Sequence, residues 1–205
     1  MSRLQKPSQE DERLWLEQSL HGNPDGFMHL IEVYQRSVFN MCYRMLGNRE
    51  DAEDAAQETF LRAYQNLKKY DQDRSFITWL LSIAAHFCID QLRKKRAKIV
   101  SMEDILLGEI PDPNPSPERV IVQQDDQLKV QNILQQISEQ DRAALILYYW
   151  YEFSYEEISI ILGFSVSAVK SRLHRAKKEM ATLWVKQSSI MKSEVGRKQY
   201  EAPVV

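Results

Sequence analysis

Asp71 to Arg96 reads DQDRSFITWLLSIAAHFCIDQLRKKR, a polar loop with aromatic neighbours that runs into an apolar helix and then into a basic run. Ser75 is placed to cap the helix that follows it. Ile77, Leu81, Ala84, Cys88 and Leu92 recur at helical spacing, and Phe76, Leu80, Ile83 and Phe87 form a second stripe beside them. Two adjacent stripes predict burial on more than one side. Polar residues emerge on one narrow line, His86, Asp90, Arg93 and Lys94, and Arg93, Lys94, Lys95, Arg96 and Lys98 place five cations in six positions. Such a run neutralises phosphates without carrying base information of its own, or is simply a solvated end.

Upstream of this stretch the chain reads as helices. Asp11 to Leu20 predicts a short helix, and after the turn His21-Gly-Asn-Pro-Asp, Pro24 sits where a first helical turn tolerates it. Phe27, Leu30, Ile31, Tyr34, Val38, Met41, Cys42 and Met45 then follow a helical period over five turns, which Gly47 ends. Asn48 caps a third helix, whose Ala52, Ala56, Thr59, Phe60 and Ala63 make a small-residue face suited to close packing. Asp54, Gln57, Glu58 and Leu61 share another face. An acidic stripe with a leucine in it fits a basic partner helix better than it fits bare solvent.

Downstream, Pro111, Pro113, Pro115 and Pro117 occupy every second position of IPDPNPSPE, where neither helix nor central strand forms. This is the pattern of a semi-stiff extended linker that separates two domains. Helical periodicity returns at Val130, Ile133, Leu134 and Ile137, and Ser138 with Asp141 resembles a capping box for a helix from Ala143 to Tyr151. Ser154 caps a short helix to Leu162, Gly163 turns, and a last helix starts near Ser165 or Ser167. It buries Val169, Leu173, Ala176 and Met180, and turns Lys170, Ser171, His174, Arg175 and Lys178 outward. Helix, glycine turn and cationic outer helix describe a helix-turn-helix. The expected fold class is all-α: two small helical domains, residues 1–98 and 124–185, joined by a Pro-rich linker, 99–123. The second is a helix-turn-helix domain, and a disordered tail is expected over 186–205.

Composition narrows the classes further. Of 205 residues, 27 are Lys or Arg and 29 Asp or Glu, a net charge of −2 that argues against binding nucleic acid by bulk attraction. The signs are segregated instead: Arg49 to Glu58 holds five acids and one base, and Lys170 to Lys178 five bases and no acid, which predicts two kinds of partner. No apolar run reaches the roughly 18 to 20 residues of a membrane span, and no signal peptide is legible at the start, so a cytoplasmic protein without membrane insertion is expected. Cys42 and Cys88 sit on apolar faces without a CxxC, which reads as buried hydrophobes, and the four histidines lack zinc-ligand spacing. No metal or cofactor is expected.

Three segments, GNREDAEDAAQETFLRAY, FITWLLSIAAHFCIDQLRKKR and YEFSYEEISIILGFSVSAVKSRLHRAKKEM, together resemble the signature regions of the small bacterial extracytoplasmic-function (ECF) sigma factors of the sigma-70 family. The resemblance implies a first domain that binds the RNA polymerase clamp through Asp51, Asp54, Gln57, Glu58 and Leu61, and that also holds the minus-ten promoter element. It implies a second domain that reads the minus-thirty-five element through Lys170, Ser171, Arg172, His174, Arg175 and Lys178. RNA polymerase core (clamp and flap), promoter DNA and an anti-sigma factor are the implied partners. The loop that opens the quoted stretch is where the family captures a minus-ten base; Arg74, Ser75 and Phe76 are expected in that pocket, with His86, Asp90, Arg93 and Lys94 along the strand. Trp79 belongs to both readings, since its spacing also fits the core. The chain departs from the family at His86, where asparagine is usual, and at Ser165, Ser167 and Ala168, where proline, glycine and threonine are more common.

Two other classes compete. A helix-turn-helix regulator that never touches polymerase leaves the Asp54 to Leu61 face unexplained. An enzyme could gather a metal on Asp51, Asp54 and Glu58, but the Glu-x-x-His pairs of bundle metal sites are absent, as is any GxxxxGK[ST] phosphate loop.

Overall fold

The long apolar helix of the first domain, α2 (Pro24–Leu46), forms for the reasons its sequence gives: Pro24 at its first turn, Asn23 capping the Asp25 N–H, and Gly47 closing it at φ 86°. The structure, a computed structural model, describes residues 7–103 and 122–200, with side chains over 7–98 and 126–187. Around α2 lie α1 (Gln9–Leu20), α3 (Arg49–Asn66) followed by one 3-10 turn (Leu67–Lys69), and α4 (Phe76–Glu103). The second domain comprises α5 (Val122–Gln136), α6 (Glu139–Trp150), α7 (Tyr155–Leu162) and α8 (Val166–Tyr200). No strand occurs among the described residues, and no helix there is long and apolar enough to cross a membrane.

Leu30, Tyr34, Val38, Met41, Cys42 and Met45 of α2 are fully buried against the small face of α3 and both stripes of α4. The small residues of that face, Ala52, Ala55, Ala56 and Ala63, let the two backbones approach. A glycine does the same for α1: a Cβ on Gly26 would meet the Gln18 Cβ at 2.8 Å and strike the Trp15 carbonyl. Cys42 and Cys88 are free thiols, buried side by side between α2 and α4, and contact with Cys42 together with burial pushes the Cys88 thiol far above its ordinary range.

Four expectations change. The helix through the quoted stretch continues to Glu103, past the boundary set at 98, and α5 starts at Val122, so helices occupy both ends of the expected linker; its prolines lie outside the described residues. Ser138 precedes α6 but its side chain makes no capping bond, and the Asp141 carboxylate pairs with Arg172 instead of reaching back to it. The reciprocal capping box forms instead at Ser154 and Glu157, opening α7. Residues 186–200, expected to be disordered, extend α8 to Tyr200; the stretch has no proline and is rich in residues that favour helix without needing a buried face.

The largest change concerns the relation of the domains. An extended linker was expected to hold them apart, yet they share one core. Ala143 to Leu147 of α6 are all fully buried, which one neighbouring layer cannot accomplish, and α2 and α4 of the first domain supply the second layer. Polar groups seal the contact at the C-terminal end of α2, where the Tyr43 carbonyl also accepts from the Gly47 N–H at 2.9 Å and the carbonyls after it lie past the last helical donors. Gln131 Nε2 donates to the carbonyls of Tyr43 and Arg44 at 3.0 and 3.2 Å, Gln135 Nε2 to Arg44 at 3.1 Å, and Arg142 to Met45. Tyr151 Oη donates to the Ser37 carbonyl at 2.5 Å, and Arg44 lies over the Trp150 ring at 5.0 Å.

Candidate polymerase and promoter interfaces

Packing of the alanine face of α3 turns the opposite face outward and fixes what it presents. Asp54, Gln57 and Leu61 are exposed, and Leu61 leaves about half its surface in solvent, 51%. Glu58 is partly covered and paired with Arg62 at 2.6 Å, whose guanidinium lies 4.7 Å over the Phe87 ring. Tyr64, one turn beyond Leu61 and 47% exposed, extends the apolar part of this face. Sequence reasoning missed it, although its i+3 spacing from Leu61 was a usable signal. Asp51 differs from the others because its carboxylate bonds Lys95 of α4 and Asn48. The Lys95 bond holds its pKa below the usual carboxylate range, so Asp51 belongs to the seam between α3 and α4 as much as to the outer face.

The loop before α4 is folded on itself. Asp71 Oδ1 accepts from the Asp73 N–H at 3.2 Å, its carbonyl accepts from the Arg74 N–H at 3.0 Å, and its Oδ2 pairs with Arg74 Nε at 3.1 Å. Tyr70 Oη donates to the Arg74 carbonyl, and burial, with Glu12 and Asp71 nearby, pushes the phenol up to about 12. Arg74 and Ser75 are thereby held at the surface. Phe76 is not with them. It is fully buried, its ring 5.7 Å from Tyr34, 5.4 Å from Tyr70 and 5.7 Å from Trp79, so it has no free face for a base and leaves the expected pocket set. The aromatic that keeps a partly open side is Trp79, tilted against Tyr70 with ring centroids 5.1 Å apart.

Further along α4, His86, Asp90, Arg93 and Lys94 form one exposed line, as their spacing requires. His86 Nδ1 bonds the Ser82 carbonyl at 2.7 Å, the role of a donor, which leaves Nε2 facing out. Asp90, Arg93 and Lys94 take part in no ion pair among the described residues. The basic end therefore holds free cations beside a fixed imidazole.

In the second domain, Gly163 turns at φ 69° between α7 and α8, and Ser165 Oγ accepts from the Ala168 N–H at 3.2 Å, which settles Ser165 as the cap of α8. Lys170, Ser171, His174, Arg175 and Lys178 are exposed along one side of α8. Arg172 is not. It turns inward to Asp141 at 2.8 Å and lies over the Phe164 ring at 4.3 Å, which corrects its expected place among the DNA contacts. Asp141 is nearly enclosed, and a charge so placed requires a partner. Arg175 reaches the same carboxylate only at 3.5 Å while 62% of its side chain remains exposed, so it stays available outside.

Three surfaces result: an acidic, partly apolar one on α3, a loop with a cationic line on α4, and a cationic side of α8. Two carboxylates of the α3 set are already committed, Asp51 to Lys95 and Glu58 to Arg62, and no group of three metal-ligating side chains occurs among the described residues.

Residues 30–98 match the family Sigma-70 region 2, and residues 127–180 match Sigma-70, region 4. The chain is 34% identical over 172 residues to the ECF RNA polymerase sigma factor SigW of Bacillus subtilis (strain 168), covering 80% of this chain and 92% of that one. It is 32% identical over 159 residues to the RNA polymerase sigma factor YlaC of the same organism, covering 76% and 90%. Among solved structures, CnrH in complex with the cytosolic domain of CnrY has a TM-score of 0.62 at 23% identity, covering 84% of this chain and 96% of that one. The sigma factor RpoE in complex with the anti-sigma factor NepR from Bartonella quintana has 0.60 at 24%, covering 77% and 95%. At these identities the two structures bear on the fold.

Proposed function

Because the chain belongs to the extracytoplasmic-function sigma factors of the sigma-70 family, we propose that its three surfaces divide the work of transcription initiation among them. A sigma factor binds RNA polymerase core, directs it to promoters and opens the DNA there. In this division, Asp54, Gln57, Glu58 and Leu61, with Tyr64 beside them and Asp51 oriented by Lys95, meet the polymerase clamp. Lys170, Ser171, His174, Arg175 and Lys178 meet the minus-thirty-five element, and the Arg74–Ser75 loop with the α4 line meets the minus-ten element. The observation that carries the reading is the grouping of side chains: Asp54 is exposed on α3 beside Gln57 and Leu61, whereas Arg93 and Lys94 are exposed together on α4, and Lys170, Arg175 and Lys178 on α8. A regulator acting on DNA alone has no use for the α3 face. We place the protein in the cytoplasm, where polymerase works, acting by binding without catalysis, and assign it an anti-sigma partner.

Strand opening without a nucleotide motif draws on binding energy. Extruding a base costs a few kcal/mol, which polar contacts to its edge and stacking on an aromatic, about 1–3 kcal/mol, can offset. Arg74 and Ser75 supply the polar edge and Trp79 the wall. Arg74→Ala with Ser75→Ala should therefore leave closed-complex affinity unchanged and remove opening of duplex, followed by 2-aminopurine fluorescence in the minus-ten element, with rescue on a pre-melted bubble. Unchanged opening kinetics would make the loop a mere connector.

On α8, an arginine at a guanine edge discriminates by about 1–3 kcal/mol, whereas a lysine on phosphate weakens all sequences alike. Arg175→Ala should relax base preference at one or two upstream positions in a binding selection, and Lys178→Ala should not. Equal loss by both variants on cognate and scrambled elements defeats the assignment.

A further inference from the structure

A buried phenol and an unpaired main-chain donor meet in the loop before α4. We propose that Tyr70 is a positioning residue for capture of the minus-ten base: its hydroxyl turns the peptide between Arg74 and Ser75 so that the Ser75 N–H faces outward and donates to the edge of the captured base. This rests on the proposed reading that the loop takes a base, and adds to it a donor that no side chain supplies.

Tyr70 is enclosed, its ring edge-on to Phe76 at 5.4 Å and tilted against Trp79 at 5.1 Å. From there its hydroxyl donates to the Arg74 carbonyl. Burial, ahead of Glu12 and Asp71, raises the phenol to about 12, so it stays protonated and remains a donor at neutral pH. A trans peptide is planar, with its carbonyl and its N–H pointing in opposite directions, and no cis peptide occurs among the described residues. Because the Arg74 carbonyl is turned in to the buried phenol, the Ser75 N–H is turned away from it, on a residue that is itself exposed.

Neighbouring groups of the loop are engaged. The Arg74 N–H goes to the Asp71 carbonyl at 3.0 Å, the Asp73 N–H to Asp71 Oδ1 at 3.2 Å, and the Ser75 carbonyl accepts from the Trp79 N–H at 3.3 Å. The Ser75 N–H has no acceptor among the described residues, so water satisfies it in the free protein. A ring nitrogen or a carbonyl oxygen on a base edge can take the place of that water while the base stacks on Trp79. Tyr70 thus touches both halves of the pocket, the wall through its ring and the polar edge through its hydroxyl. Without the hydroxyl the ring packing persists, but the peptide is free to rotate and the donor is no longer held in one direction. Tyr34 offers an internal comparison: it belongs to the same cluster, 5.7 Å from Phe76, but its hydroxyl donates to Glu12 of α1 and not to the loop.

Holoenzyme reconstituted with the full chain tests this on promoter duplexes that carry either the natural base or an abasic site at each minus-ten position in turn. Fluorescence of 2-aminopurine elsewhere in the element reports opening. The quantity read is the ratio of opening rates, base over abasic, at the captured position; a merely structural defect slows both templates alike and leaves this ratio as it is. Tyr70→Phe should cut the ratio roughly fivefold, the scale of one hydrogen bond, at unchanged closed-complex affinity. Tyr34→Phe should leave it alone. An unchanged ratio in Tyr70→Phe, or an equal fall in Tyr34→Phe, overturns the proposal. The donor itself is tested by Ser75→Ala, which keeps the N–H, against the same position filled with lactic acid by nonsense suppression, which puts an ester oxygen in its place. The ester should give the lower ratio, and equal ratios overturn the proposal. A wild-type ratio near one at every position defeats the base-capture reading and the proposal with it, whereas the variant outcomes defeat the proposal alone.

Discussion

Asp54→Lys together with Glu58→Lys abolishes binding of polymerase core while the protein stays folded. The two positions lie one turn apart on the outer side of α3, and the one ion pair lost, Glu58 with Arg62, is partly exposed on both sides. Exposed pairs of this type contribute about 0.3–0.5 kcal/mol on a helix, so stability falls little. At the interface the reversal puts like charges face to face, which costs several kcal/mol. A loss of about 4 kcal/mol is roughly a thousandfold in affinity. The check is a titration of labelled double variant with core enzyme, beside its thermal unfolding curve. Wild-type affinity in a folded variant would remove the α3 face from the polymerase contact.

The largest effect on stability is expected from Arg142→Ala. The guanidinium is enclosed, donating from Nη1 to the Met45 carbonyl and to Gln135 Oε1 at 2.6 Å, and from Nη2 to the carbonyls of Gln135 and Ile137 at 2.8 and 3.0 Å. Burial lowers its pKa to about 10, against the opposing pull of Glu139, so it remains charged at neutral pH. Truncation strands several acceptors in an enclosed interface, where each orphan costs about 1–3 kcal/mol. A total of about 3–5 kcal/mol follows, a fall in Tm of roughly 10 °C for a chain of this size. Arg142→Lys should recover only part, since an ammonium cannot fork to both strands of this network. Scanning calorimetry of the two variants decides it, and a shift of only a degree or two for alanine would mean that water replaces the guanidinium without loss.

Features set by neighbours a few residues away were legible in the chain. The α2 stripe, its Gly47 stop, the Asn48 cap and the alanine seam of α3 all depend on a local period or on one turn of backbone, and all stand where the spacing puts them. The failures involve partners far along the chain. Phe76 looks like a pocket wall beside a polar loop until Tyr34 arrives from α2 and closes the aromatic cluster. Arg172 has the spacing of an edge position and the company of cations, and only Asp141, thirty-one residues earlier, draws it inward. One long-range signal was available and passed over. The run RAALILYYW has no polar side through its centre, which requires cover on more faces than its own small domain can provide.

The composition of the seal at the end of α2 has a consequence in ionic strength. Its amide and phenol donors, from Gln131, Gln135 and Tyr151, carry no net charge, its guanidinium, from Arg142, is enclosed, and buried groups are little affected by mobile ions. Contacts between cations and DNA phosphates behave oppositely, because each one formed releases counterions into solution, an entropy gain that shrinks as salt rises. The same chain thus carries a salt-sensitive grip on promoter DNA and a nearly salt-indifferent grip on itself. Added potassium salt weakens the first and spares the second, so the balance moves toward the self-docked chain as ionic strength rises.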